Sequence, residues 1–259
     1  MDSVRLERDD GILIITLDRP KANAIDVPTS QALYRAFRTL DEDPALRVGI
    51  ITGVGRFFSA GWDLNAANVG EAIDANHGPG GFAGLTEYFG LTKPVIAAVN
   101  GMAVGGGFEL ALAADLIVAS TEARFWLPEV QLGILPDSGG LFRLPRSLPP
   151  RLAREMILTG RRLDAAEALT WGLASRVVEP AALLDSAMSL AREIAAGAPL
   201  AIRAARDILR ASEGLEIKES FRMMRGGTVP SYRDALDSED ALEGPAAFAE
   251  GRPPNWKGR

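Results

Sequence analysis

The stretch "NGMAVGGGFELALAAD", Asn100 to Asp115, constrains this chain more than any other. Three consecutive glycines, Gly105 to Gly107, stand directly ahead of an apolar run that reads as a helix, with Glu109 just inside it. Glycine costs folding entropy at each position, so such a run persists where a side chain would block a close approach or where unusual torsions are needed. Two readings meet that condition. The glycines permit tight packing of helix on strand, or they open the backbone N–H groups of a helix start to a ligand. The glycines alone leave both open.

The totals narrow the function classes. A chain of 259 residues, 47% hydrophobic and 24% charged, has the profile of one large globular domain or two small ones. No window reaches the unbroken apolar length of a membrane span, and "MDSVRLERDDG" lacks the basic-then-apolar order of a secretory signal, so a cytoplasmic location is expected. With no cysteine and a single histidine, disulfides, a thiolate nucleophile and the usual zinc ligand sets drop out, and no metal is expected. A net charge of -6 argues against nucleic acid as a partner.

Along the chain, "VRLERDDGILIITLDRP" predicts two strands joined by a turn at Asp9, Asp10 and Gly11, and "VPTSQALYRAFRTLDED" an amphipathic helix from Pro28 to Leu40. "LRVGIITG", "KPVIAAVNG" and "ADLIVAS" read as buried strands, with a short one at "ARFW". The stretch from Ala66 to Gly84, which holds His77, reads as a mobile loop. Strand and helix alternate with spacing suited to right-handed crossovers, which points to a stacked, mostly parallel α/β arrangement. Beyond Leu148 the pattern is mainly amphipathic helix, whose apolar faces call for packing on the first part or on another copy of the chain.

Two stretches share one grammar of strand, small residues, helix start: "SAGWDL", with a helix near Asp63, and "VGGGFEL", with one near Gly107. Two helix starts facing one point would form an oxyanion hole. Glu109 and Glu129 are both flanked by apolar residues. Carboxyls in such surroundings can hold different protonation states, one acid and one base. They can equally serve separate structural roles, and spacing does not show that they meet. "GVGRFF" lacks the third glycine of a dinucleotide fingerprint, and there is no P-loop lysine pattern and no G-x-S-x-G elbow. His77 reads as a surface loop residue without a catalytic role.

The motifs "DRPKANAID", "FFSAGWDL", "KPVIAAVNGMAVGGGFELALAAD", "PEVQLGILPDSGG" and "LTGRRLDAAEALTWGLASRVV", with the ending "SEDALEGPAAFAEGRPPNWKGR", resemble the enoyl-CoA hydratase/isomerase (crotonase) superfamily, in order along nearly the whole chain. Within it, "FFSAGWDL", "LGILPDSGG" and "WKGR" look most similar to the carnitinyl-CoA dehydratase (crotonobetainyl-CoA hydratase) subfamily. The resemblance implies an α/β crotonase (ClpP-like) fold of stacked β-β-α units. Residues 1–195 would form the core with the CoA and active site, and residues 196–259 a helical region for oligomerisation and coenzyme cover, as a trimer or dimer of trimers. It implies a lyase that adds or removes water across the α,β-bond of an acyl-CoA, with L-carnitinyl-CoA and crotonobetainyl-CoA as the pair. The alternatives are a general short-chain enoyl-CoA hydratase and a non-catalytic CoA- or RNA-binding relative. For RNA, the helix with Arg35 and Arg38 ends in Asp41, Glu42 and Asp43, which is unfavourable. No cofactor is implied beyond the coenzyme A of the substrate.

Matched by motif, the oxyanion donors would be the N–H groups of Trp62 and Gly106. Glu109 would be the base that positions water and Glu129 the proton donor. Lys21, Ala22 and Ala24 would line the adenine pocket, with main-chain groups near Ala60, Asp63 and Leu64, and Phe248 would approach the coenzyme from the C-terminal helix. Phe82 and Trp126, with Trp62 and Phe89, would bound the acyl pocket. The sequence departs from the family at Glu250, Gly251, Arg252, where relatives show Glu-Lys-Arg, and Arg252 or Lys257 would compensate.

Overall fold

The structure, a computed structural model, describes residues 3–259. The chain divides into two compact units, one ending at Ala191 and one spanning Arg192–Arg259. The sequence predicts the division at 195/196, slightly further along.

Among the described residues the first unit holds ten strands: β1 (Val4–Asp9), β2 (Ile12–Leu17), β3 (Val48–Gly53), β4 (Phe57–Ser59), β5 (Val95–Val99), β6 (Met102–Val104), β7 (Leu116–Ser120), β8 (Arg124–Trp126), β9 (Leu163–Asp164) and β10 (Arg176–Val178). Its helices are α1 (Val27–Glu42), α2 (Leu64–Asn68), α3 (Gly106–Ala113), α4 (Gly140–Ser147), α5 (Pro150–Thr159) and α6 (Ala165–Thr170). α7 (Leu183–Ala195) runs across the division.

One sheet has the order β1-β2-β3-β5-β7-β10 and the other β4-β6-β8-β9. Each coil of the chain lays a strand in the first sheet and then a short strand in the second, as β3–β4, β5–β6 and β7–β8. Pairing between successive coils is parallel in both sheets. The wholly buried runs of β2 and β5 follow from cover on both faces. Asn100 ties two corners of the coil: its side chain accepts from Gly53 N at 3.1 Å and donates to Gly55 O at 2.8 Å. In the second sheet Ser59, Ala103 and Phe125 fall on one row, and Val104 pairs with Trp126. The C-terminal ends of β4, β6 and β8 therefore stand side by side, about 4.8 Å apart per rung.

α1 begins where Asp26 caps it, accepting from Thr29 N at 2.9 Å, and its apolar face buries Leu33, Phe37 and Leu40 completely. Phe37 shares the core with Phe58, Phe108 and Phe125, each at most 1% exposed. The predicted mobile loop is ordered at its far end: Phe82, Ala83 and Gly84 are buried, and Gly84 lies flush against the backbone of Ser30 and Tyr34 in α1.

The second unit contains α8 (Pro199–Ser212), α9 (Ile217–Arg225), α10 (Pro230–Leu236) and α11 (Glu239–Glu250). Ser231 donates to Asp207 at 2.7 Å, joining α10 to α8. The buried Asp240 carboxylate accepts from Lys257 N and Gly258 N at 2.6 and 2.9 Å, which fastens the "WKGR" ending to α11.

Truncating Phe37 to alanine removes a filled core volume. Urea unfolding should show a loss of about 3–5 kcal/mol with an unchanged m-value.

Candidate active site

The ends of β4, β6 and β8 open on one cavity of about 350 Å³. From the first coil come Ala60 and Trp62, from the second Gly105, Gly106 and Glu109, and from the third Pro128 and Glu129. Parallel register thus brings together residues far apart in sequence.

The two backbone donors follow from local pairing. A bridge joins Trp62 to Ile25, but its bonds run from Ile25 N to Gly61 O at 2.8 Å and from Asp63 N to Ile25 O at 3.0 Å. The Trp62 N–H takes no part in it. Gly106 opens α3, where helix geometry provides no intrahelical acceptor for its N–H. Gly61, at φ 79°, is what lets these segments meet: a Cβ there would lie 2.6 Å from Val104 O and 2.7 Å from Gly106 N. Gly105, at φ 53°, leaves the space taken by the Glu129 carboxylate, since a Cβ would lie 2.6 Å from its Oε1. The close-packing reading of the glycine run is observed, and the same packing sets the Gly106 helix start beside the segment of Gly61.

Glu109 is 3% and Glu129 6% exposed. Burial pushes the Glu109 carboxyl up to about 8, with the nearby Glu129 and Asp137 adding to the rise, while the Gly140 N–H donating to Oε1 at 2.8 Å opposes it. Burial likewise pushes Glu129 up to about 7, and its Oε2 is buried without a hydrogen-bond partner. Near neutral pH the pair holds a proton that two exposed carboxylates would have lost. One acid and one base in a single cavity, beside two N–H groups without a partner among the described residues, can exchange protons with a substrate whose oxygen gathers negative charge.

A family model described as enoyl-CoA hydratase/isomerase matches residues 7–259. The chain belongs to the enoyl-CoA hydratase/isomerase family. It is 60% identical over 258 residues to a carnitinyl-CoA dehydratase of Salmonella arizonae, covering 99% of each chain, and 60% identical over 259 residues to one of Salmonella paratyphi A, covering 100% of this chain and 99% of that one. Among solved structures, an enoyl-CoA hydratase of Mycobacterium tuberculosis H37Rv superposes with a TM-score of 0.91 at 44% identity. A carnitinyl-CoA hydratase of Mycobacterium avium does so with 0.77 at 41%; each match covers 99% of both chains. The architecture is the crotonase fold.

Other residues marked by the sequence are spread more widely. Phe82 and Leu64 line the cavity, whereas Trp126 does not: its ring lies under the Arg162 guanidinium, 4.7 Å away. The exposed Phe89 is also outside the lining. Lys21, Ala22 and Ala24 sit on the loop before α1, outside the lining, and Ala22 O accepts from Ala60 N at 2.9 Å. Arg19 clamps that loop to Asp26 and Asp63 at 2.8 and 2.7 Å. Phe248 is 90% exposed on α11. Gly251 ends that helix in the left-handed conformation, and the Arg252 guanidinium is engaged by Glu243 at 2.6 and 2.9 Å and by Glu250.

His77 is not a surface residue. It is buried on the cavity wall, its Nδ1 2.8 Å from Ser30 Oγ and its ring edge-on to Phe82 with centroids 5.0 Å apart. Gly140 carries a sequence signal too: "SGG", which runs into the start of α4, repeats the glycine-then-helix grammar that marks Gly105 to Gly107. Among the described residues no helix is long and apolar enough to cross a membrane, and no group of three or more His, Asp or Glu could hold a metal ion.

The raised Glu109 value fixes the sign of a stability effect. Between its ordinary 4.5 and about 8 the native protein keeps a proton that the unfolded chain releases, so stability falls as pH rises through that window. Glu109→Gln keeps an acceptor for Gly140 without that burden. Its denaturation midpoint should gain on the wild type from pH 5 to pH 8, equivalent to roughly 2–4 kcal/mol.

Proposed function

We propose that the protein is a hydro-lyase without a resident cofactor that interconverts L-carnitinyl-CoA and crotonobetainyl-CoA. The observation that carries the chemistry is the pair of buried glutamates in one cavity with two backbone N–H groups. The acyl identity rests on the names of the relatives at 60% identity.

The thioester oxygen would lie between the N–H groups of Trp62 and Gly106. Hydration builds enolate-like charge on that oxygen, so donors fixed in the backbone stabilise the transition state more than the ground state. Glu109, held by Gly140 N–H, takes a proton from water as the oxygen adds to Cβ. Glu129, with its unpartnered Oε2, gives a proton to Cα. Dehydration reverses each transfer. The coenzyme would reach the site past Lys21, Ala22 and Ala24 and the main chain at Ala60, Asp63 and Leu64, with Phe248 supplied as cover by the same or another copy. The helical region would build a trimer or a dimer of trimers; exposed Leu209, Ile217, Phe221 and Leu242 give it apolar surface to bury.

Loss of the enoyl-thioester absorbance should be fast with crotonobetainyl-CoA and slower with crotonyl-CoA. Glu109→Gln and Glu129→Gln should each lower kcat by about 10²–10⁴-fold. Equal or better use of crotonyl-CoA would make the protein a general hydratase, and no reaction with either would remove the two-glutamate reading. With Glu109 at about 8 and Glu129 at about 7 the shared proton rests mainly on Glu109, so the form with Glu109 ionised and Glu129 protonated is the minor one of the singly protonated pair, and kcat/KM should still peak between about pH 7 and 8 and fall on both sides. Light scattering should give the mass of three or six chains; a monomer at micromolar concentration would contradict the assembly.

A further inference from the structure

The cavity lining contains five carboxyl side chains: Glu109 and Glu129, and beyond them Asp74, Glu87 and Asp137. It contains no lysine and no arginine. Coenzyme A is a polyanion, so this wall repels its phosphates and favours entry by the acyl end. A neutral acyl chain gains nothing from the three outer acids; a cation does.

The one lining side chain able to become cationic in the neutral range is His77, which is 9% exposed. Ser30 Oγ accepts from Ala83 N at 3.0 Å and shares a hydrogen bond with the Nδ1 of His77 at 2.8 Å. Burial pushes the His77 pKa down from 6.5, which favours the neutral imidazole. Its Nε2 has no partner among the described residues. Beside it stands the ring of Phe82, and the same cavity is lined by Trp62, whose indole Nε1–H donates to Glu71 at 2.8 Å. Aromatic faces with no competing positive charge attract a cation at little desolvation cost.

We propose that His77, Phe82 and Trp62, with Asp74, Glu87 and Asp137, form an acyl-end subsite for a quaternary ammonium group. This deepens the proposed function and rests on its placing of the acyl group in this cavity. A plain apolar pocket prefers a tert-butyl group to its trimethylammonium isostere, because only the latter loses hydration on entry. A preference for the cation is therefore diagnostic.

The test uses two saturated esters that cannot be hydrated, 4-(trimethylammonio)butanoyl-CoA and its neutral isostere 5,5-dimethylhexanoyl-CoA, with binding followed by calorimetry. The wild type should bind the cationic ester at least about tenfold more tightly. Asp74→Asn with Asp137→Asn, both at exposed positions, should cut that preference roughly threefold to tenfold, and His77→Lys should abolish it. Equal binding of the two esters by the wild type, or a preference unchanged in the double aspartate variant, overturns the proposal whether or not His77→Lys folds. A protein that prefers the cation but hydrates neither crotonobetainyl-CoA nor crotonyl-CoA keeps the subsite and loses the hydratase reading. One that hydrates crotonyl-CoA but binds both esters equally does the reverse.

Discussion

The site depends on the hydrogen-bond register of the small second sheet. Three strands of three residues, β4, β6 and β8, pair in parallel so that their last residues lie in adjacent rows. Whatever follows each strand is then delivered to the same place: a free N–H after the first, a helix start with a glutamate after the second, another glutamate after the third. Shifting one strand by a residue would turn its side chains to the opposite face and move its donor or acid out of line. The side chain of Asn100, bonded to both Gly53 and Gly55 on the preceding coil, resists such a slip.

Buried carboxyls are costly, and the surroundings of Glu109 and Glu129 show how the cost is shared. Glu109 has one backbone donor, enough to hold its direction without making it a permanent anion. Glu129 is left with a bare Oε2. Full satisfaction of both would drive their pKa values back toward the ordinary carboxylate range and end acid–base exchange near neutrality. In the proposed mechanism the incomplete hydrogen bonding is thus part of the chemistry.

Much of this was legible beforehand. Four strands of the large sheet, β2, β3, β5 and β7, announce themselves as apolar runs, and α1 by its stripe of Leu33, Phe37 and Leu40, whereas β10 carries no such signal. β4 and β6 gave no such signal, because three residues are too short for a period and their pairing is set by distant partners. His77 was misplaced for a related reason: its neighbours Asn76, Gly78, Pro79 and Gly80 have loop composition, while its burial comes from Ser30, 47 residues earlier. Trp126 shows the converse, an aromatic near the site in sequence that turns instead to Arg162. Local pattern reports what a residue is, and only packing decides what it faces.

The coil architecture also bears on how the protein is made. Each turn pairs with the turn before it, and the residues that form the cavity all lie between Ala60 and Ser138. Strand pairs close loops of moderate length, and no piece of the cavity wall waits for the last part of the chain. A nascent polypeptide can therefore lay down this cavity rung by rung as it leaves the ribosome, with the helical unit still to be synthesised.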